Sequence, residues 1–330
     1  MNKYYWFVIV IILSACVSRA EDSMREKALE MASRAGLSGW LNAPVRVDFT
    51  SQGTVAIRDE GIYFFQYDLE TPQTAGEPNV IVDTAVRVPA TADKAVFITH
   101  GWIDKAQKDW PEKMAEAIRQ KTDPNEWICG IFDWSGGSGV VTSIQAAKYA
   151  RDIGGPRLAA AILKLSGSTR HIHFVGHSVG SWVINTAARR IVKECPGVSL
   201  HLTFLDAYVP DGWDSNELGN VNSSVSVWAE HYYTRDITYT MTQMDLAHTH
   251  NVDITAIDPL VAEHEFPYRW YLATVTGHYD RWDEKGQDVI TSCNGVEYGF
   301  ARSLEAGKDG WAKNKTLSCG NAAVKIEKKN

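Results

Sequence analysis

The string Gly176-His177-Ser178-Val179-Gly180 constrains this chain most, because of what flanks it. It follows the apolar run HIHFVG and opens the run VGSWVINTAARRIVKEC, so a strand passes through one tight turn into a helix. A serine held at such a turn is exposed at the end of a sheet, in a strained conformation that larger neighbours would block. Glycine at 176 and 180 removes those clashes. The helix that follows aims unbonded N–H groups at the serine, where they favour a developing negative charge. A G-x-S-x-G string alone is expected by chance roughly 0.1 times in such a chain, so its setting carries the weight.

The setting extends in both directions. AVFITHG, WICGIFDW, HIHFVGHS and SLHLTFLDA are near-continuous apolar runs. Between them lie WPEKMAEAIRQK, with Pro111 in its first turn, and SIQAAKYARDIGGPRLAAAILKL, a helical stretch expected to break at Gly154-Gly155-Pro156. Apolar strands alternating with helices predict an α/β fold with a mostly parallel central sheet and helices on both faces. Upstream, Val45 to Val88 alternates with a period of two, and Arg58-Asp59-Glu60-Gly61 is read as a hairpin turn. Ser23-Met24-Arg25-Glu26 reads as a capping box opening a helix. A chain of 330 residues could hold one large domain or two ordinary ones; no Pro/Gly/Ser-rich linker divides it, so residues 21–330 are read as one domain.

Charge and cysteines narrow the function. With 33 basic and 40 acidic residues the net charge is −7, which argues against a nucleic-acid surface. Five cysteines without a CxxC pair argue against zinc ribbons and thioredoxin motifs. Residues 4–13, YYWFVIVIIL behind Lys3, have the length of a secretory signal core and fall short of a membrane-spanning helix. Residues 1–20 are therefore read as an export signal. Leu13-Ser14-Ala15-Cys16 resembles a lipobox, which would lipidate Cys16 and attach the protein to a membrane; the competing reading is cleavage after Ala20. Export permits disulfides, and Cys293–Cys319 is the first pairing expected. Cys129, entering an apolar strand, reads as a buried thiol.

A serine hydroxyl needs a base and an orienting acid, which follow such an elbow in the order acid, then histidine. Asp206 ends the run HLTFLDA, at the functional end of an open α/β sheet, and is preferred to the loop residues Asp211 and Asp214. The base is harder to place. His231 reads as a strand position, and His248 and His250 lie in a short alternating segment. His264 and His278 each stand beside a helix-forming run, and the residues alone do not separate them. An oxyanion hole takes one N–H from Val179 and a second from the loop His100-Gly101-Trp102, giving Trp102. His177 is read as orienting the elbow, and Asp133 as tying neighbouring loops. Trp102, Trp134, Trp213 and Trp228 are read as groove lining or core, with nothing to divide the two.

Taken together, these strings resemble the pancreatic lipase family of α/β-hydrolases over roughly residues 90–275. FITHGWIDKAQKDW is similar to the family's oxyanion strand and loop, ICGIFDWSGGS to its next strand, HFVGHSVGSW to its elbow and TFLDAYVP to the stretch ending in the triad aspartate. HEFPYRWY resembles the family's catalytic histidine and the Tyr-rich helix after it, which selects His264 over His278. The resemblance implies a serine carboxylic-ester hydrolase of lipid acyl esters. Ser178, Asp206 and His264 would form its triad, Trp102 and Val179 its oxyanion hole, and it would need no cofactor. The interval from Asp206 to His264 holds no cysteine pair to bound a large lid. The family's calcium stretch is not recognisable in DGWDSNELGNVNSS, and the 66 residues after His264 are too few for its β-sandwich domain. Phospholipase A1 or short-chain esterase activity is the alternative of the same class. A lipid-binding protein without catalysis is the alternative of another.

Overall fold

Every residue of Trp127–Asp133 and of His171–His177 is buried, so these strands are covered on both faces. The computed structural model describes residues 43–61, 77–102, 109–138, 142–165, 169–221, 227–235, 240–255, 264–276, 278–280, 287–292, 300 and 324–328. Nine strands form the main sheet: β1 (Val45–Phe49), β2 (Val55–Asp59), β3 (Val80–Val82), β4 (Lys94–Thr99), β5 (Trp127–Asp133), β6 (His171–His177), β7 (Ser199–Leu205), β8 (Val227–Tyr233) and β9 (His250–Asp253). Their order is β3-β1-β2-β5-β4-β6-β7-β8-β9. All neighbours are parallel except β1 and β2. This is the α/β-hydrolase arrangement expected, with helices on both faces.

The helices divide between the faces. On one lie α1 (Trp110–Arg119) and, at the far end of the chain order, a helix over Phe266–Thr276. Their Trp110, Met114, Ile118, Phe266 and Trp270 pack with Val96, Val175 and Leu205 of the sheet. After the single turn α2 (Ser135–Ser138), the opposite face carries α3 (Ser143–Tyr149), α4 (Gly155–Leu165) and α5 (Gly180–Glu194). Tyr149, Leu158, Trp182 and Ile184 share its core with Phe97 and Phe174. The helix over Phe266–Thr276 is α6.

Two local expectations are corrected. The stretch from Ser143 to Leu165 does not break at Gly154-Gly155-Pro156. A wider π turn over Ala150–Gly154 carries it through, with the Gly155 N–H bonded to the carbonyl of Ala150 five residues back. Pro156, which has no N–H to give, is thereby accommodated. Arg58–Gly61 closes no hairpin onto β2, whose two edges are taken by β1 and β5; the described hairpin is the β1–β2 turn at Thr50–Thr54. The hydroxyls of Thr50 and Thr54 lie 2.7 Å apart, and Gly53 supplies a φ of +80°. Asp59 instead ends β2 inside the protein. Its carboxylate is 2.8 Å from the Arg157 guanidinium and accepts from the Tyr149 hydroxyl at 2.6 Å, joining β2 to two helices.

Cys129 is buried at 4% exposure, and burial pushes its thiol up to about 11. Cys129 and Cys195 are free thiols. The export segment, Cys16, the capping box at Ser23 and the Cys293–Cys319 pair lie outside the described residues. A second, antiparallel sheet joins β10 (His278–Asp280), β11 (Gln287–Ser292) and β12 (Val324–Lys328), an element the sequence pattern does not announce.

Candidate active site

The turn after β6 does what its sequence requires. Ser178 has a φ of +53°, in the left-handed region that side chains rarely adopt. Its N–H bonds the carbonyl of Leu205 at the end of β7, and its carbonyl accepts from Ser181 and Tyr208. Glycine at 180 is a matter of space: a Cβ there would lie 2.5 Å from the carbonyl oxygen of His100. The elbow is thus seated directly on the loop that follows β4. That loop is fixed from the other side. The Trp134 indole N–H donates to the same carbonyl at 2.9 Å, and its ring stacks on His100 at 5.4 Å. Trp102 follows within two residues, partly buried against the core. Val179 is the first residue past the serine, at the start of α5, where helical N–H groups have no partner within the helix.

Asp206 directly follows β7, beside the elbow. It too has a positive φ, +49°, and its side chain has no exposure. Its Oδ1 accepts from the N–H of Thr234 at 3.1 Å, and its own N–H donates to the carbonyl of Tyr232 at 2.8 Å. Its Oδ2 lies 2.6 Å from Nδ1 of His264. Nε2 of the same imidazole is 3.0 Å from Oγ of Ser178. With Nδ1–H donating to the carboxylate, Nε2 is left to accept the serine proton. The three side chains therefore form one hydrogen-bonded line.

His264 stands two residues before α6, and what fixes it is its packing. Nε2–H of His177 donates to the His264 carbonyl at 2.8 Å. The His177 ring meets the edges of Trp110 and Tyr268 at 5.9 and 5.0 Å, and those two stack on each other at 4.5 Å. His177 thus holds the backbone of His264, whereas the sequence pointed it at the elbow.

The remaining candidates fall elsewhere. Asp133 accepts from the N–H and hydroxyl of Ser135 at 3.0 and 2.6 Å, so it ties the loop after β5. Asp214 caps a short turn through the N–H of Asn216, and Asp211 stands in an exposed loop. His248 is exposed, His250 begins β9 facing Trp228, and His278 begins β10. Trp134 is core, and Trp228 packs with the α1/α6 face. Trp213 meets Trp182 edge-on and carries the Arg151 guanidinium 4.1 Å over its ring. One residue at the site escaped the sequence reading as a site residue: His231, fully buried in β8, whose Nε2 accepts the N–H of Ala207 at 3.1 Å. Nothing in its local sequence marks it, because the contact depends on β7 and β8 lying side by side.

The model of the lipase family matches residues 48–224, more than half of the chain. The chain belongs to the lipase family. That match takes in Ser178 and Asp206 and ends before His264. Similar relatives include the pancreatic triacylglycerol lipase of Myocastor coypus, 31% identical over 160 residues, 46% of this chain and 32% of that one. Human pancreatic lipase-related protein 2 is 27% identical over 205 residues, 60% of this chain and 40% of that one. The pig pancreatic triacylglycerol lipase is 27% identical over 176 residues, 52% of this chain and 37% of that one. This lipase-family chain therefore spans about a third to two fifths of the length of these three relatives.

Proposed function

We propose that the protein is an exported serine carboxylic-ester hydrolase acting on acyl esters of lipids. The observation that carries the reading is the hydrogen-bonded line Ser178 Oγ, His264, Asp206, 3.0 and 2.6 Å at its two links, on a serine with positive φ. In the first step His264 Nε2 takes the Ser178 proton as Oγ attacks the ester carbonyl carbon. The carbonyl electrons move onto oxygen, and the N–H groups of Val179 and Trp102 are the donors assigned to that oxyanion. The intermediate collapses, the alcohol leaves with the proton from His264, and an acyl-Ser178 remains. Water then gives its proton to His264 and attacks the acyl carbon, which releases the acid and restores Ser178. Asp206 holds Nδ1–H throughout and stabilises the imidazolium. No step calls for a cofactor or metal.

Residues 21–330 are proposed as one catalytic domain behind an export signal, with Cys16 as a candidate lipid anchor. A fluorophosphonate probe tests the chemistry directly, since it is attacked only by an activated serine. The expected outcome is labelling of the folded protein that Ser178→Ala abolishes; no labelling of either sinks the hydrolase reading and leaves a lipid-binding role, and equal labelling of both removes Ser178 as the nucleophile. Initial rates on p-nitrophenyl esters of increasing length, triolein emulsion and phosphatidylcholine then assign the substrate. An optimum at acetate or butyrate without emulsion activity replaces the lipase reading with a short-chain esterase.

A further inference from the structure

The turn at Asp206 is strained, and backbone hydrogen bonds hold only part of it. The Asp206 N–H is held by Tyr232, but the next N–H, that of Ala207, is held by a side chain, Nε2 of His231 at 3.1 Å. An imidazole nitrogen that accepts an N–H carries no proton, so the proton of a neutral His231 must be on Nδ1. Nδ1 faces Oδ1 of Asn251 on the neighbouring strand β9, 3.2 Å away. The amide of Asn251 has one tenable orientation. Its Oδ1 accepts the N–H of Leu246 at 2.9 Å, and its Nδ2 donates to the carbonyls of Leu246 and Thr249 at 2.9 and 3.3 Å. Swapping oxygen and nitrogen would oppose donor to donor and acceptor to acceptor at once. Asn251 thus fixes the tautomer of His231, and that tautomer fixes the N–H that follows Asp206.

We propose that His231 is the positioning residue of the candidate triad, holding Asp206 in its left-handed turn so that the carboxylate meets Nδ1 of His264. It acts from the side opposite to His177, which holds the backbone of the base. The two imidazoles brace the acid and the base separately. Burial keeps His231 neutral, pushing it down to about 4, so the acceptor persists at neutral pH. Tyr233 lies stacked on its ring at 4.8 Å and leaves it little freedom to turn.

The role rests on the triad reading above, so its test includes a readout that needs no turnover. A proton held in a 2.6 Å bond between imidazole and carboxylate resonates far downfield of other protons, and the wild-type protein should show that signal for His264. His231→Leu keeps the bulk but deletes the acceptor, and His231→Gln returns an acceptor. The expected result for folded His231→Leu is loss of the downfield signal. Its kcat on p-nitrophenyl butyrate should fall by about 100-fold with KM within about twofold, the scale of a misplaced catalytic group. His231→Gln should restore the signal and at least tenfold of the rate. A folded His231→Leu that keeps both signal and kcat overturns the role. If His231→Leu does not fold, Asn251→Ala decides: an unchanged downfield signal and rate overturn the role, and their loss supports it. If the wild type neither labels with the fluorophosphonate nor turns over, the hydrolase reading fails, and the downfield signal alone still decides whether His231 positions the Asp206–His264 pair.

Discussion

Ser178 and Asp206 share one unusual backbone conformation, with φ of +53° and +49°, each one residue past the end of neighbouring strands. Among the described residues they are the two non-glycine positions with positive φ. Such conformations cost on the order of 1–3 kcal/mol each and persist where the surroundings over-determine them. Here β6 and β7 run in parallel register up to His177 and Leu205, so the chain leaves the sheet at the same level twice. Ser178 and Asp206 are thereby turned toward the same space.

Asp206→Asn separates backbone from charge. Asparagine tolerates the left-handed region as aspartate does, so thermal stability should change by no more than about 1 kcal/mol. The amide cannot hold His264 with its proton on Nδ1 as the carboxylate does, and kcat should fall by about 10⁴-fold. Calorimetry beside ester kinetics checks both halves; a loss under tenfold would remove Asp206 from the triad.

Strain at Ser178 should be visible in stability alone. Both Ser178→Ala and Ser178→Gly remove the hydroxyl, but only glycine is at ease with positive φ. Ser178→Gly should be the more stable of the two by about 1 kcal/mol in urea unfolding. The opposite order would mean that the elbow relaxes to an ordinary conformation.

Gly180 has no room for a methyl group. Its Cβ would meet the His100 carbonyl at 2.5 Å, a backbone oxygen that Trp134 holds in place. Gly180→Ala should destabilise the fold by about 2 kcal/mol and lower kcat, because the loop bearing Trp102 must move off the elbow. A variant as stable and as active as wild type would show that the loop shifts freely.

His171 gives a pH prediction. It is buried in β6 with Nδ1 2.9 Å from the Ser199 hydroxyl, and burial, then the Lys94 charge, lower it to about 4. Above the unfolded value near 6.5 both states are neutral and its contribution is complete. As pH falls toward 4 the unfolded chain takes a proton that the folded one refuses, so stability is lost, about 3 kcal/mol in all from this group. Asp59 and Glu230, raised by burial, act with the opposite sign. The difference between wild type and His171→Gln isolates the histidine: urea midpoints at pH 7 and pH 4.5 should draw closer in the variant. An unchanged gap would mean that the imidazole is protonated where it lies.

The sequence exposed those parts of the fold whose cause is local. β5, β6 and β7 are legible because strands buried on both faces must be apolar throughout. Ser178 is legible because its turn needs glycines at fixed offsets, and Asp206 because it ends a strand beside that turn. His264 stands at the start of a helix like any other, and only a family resemblance selected it from His278. Its restraints are Trp110, Tyr268 and His177, drawn from three separate segments. The misplaced hairpin has the same origin. Arg58-Asp59-Glu60-Gly61 has good turn chemistry, yet Asp59 is committed to Arg157, 98 positions further on.

The mounting of α6 carries a consequence for how such a protein can diversify. His264 reaches Asp206 and Ser178 through the docking of Tyr268 against Trp110 on a face of the sheet, not by a short tether to the strand that Asp206 follows. The 57 residues between Asp206 and His264 include β8 and β9, which hold Asp206 through Tyr232, His231 and Asn251, so the room for change lies outside those two strands, between ends that are anchored separately. Chain can be added or exchanged outside β8 and β9 while Asp206 and His264 keep their places, so the surroundings of the pair can be rewritten without disturbing its geometry.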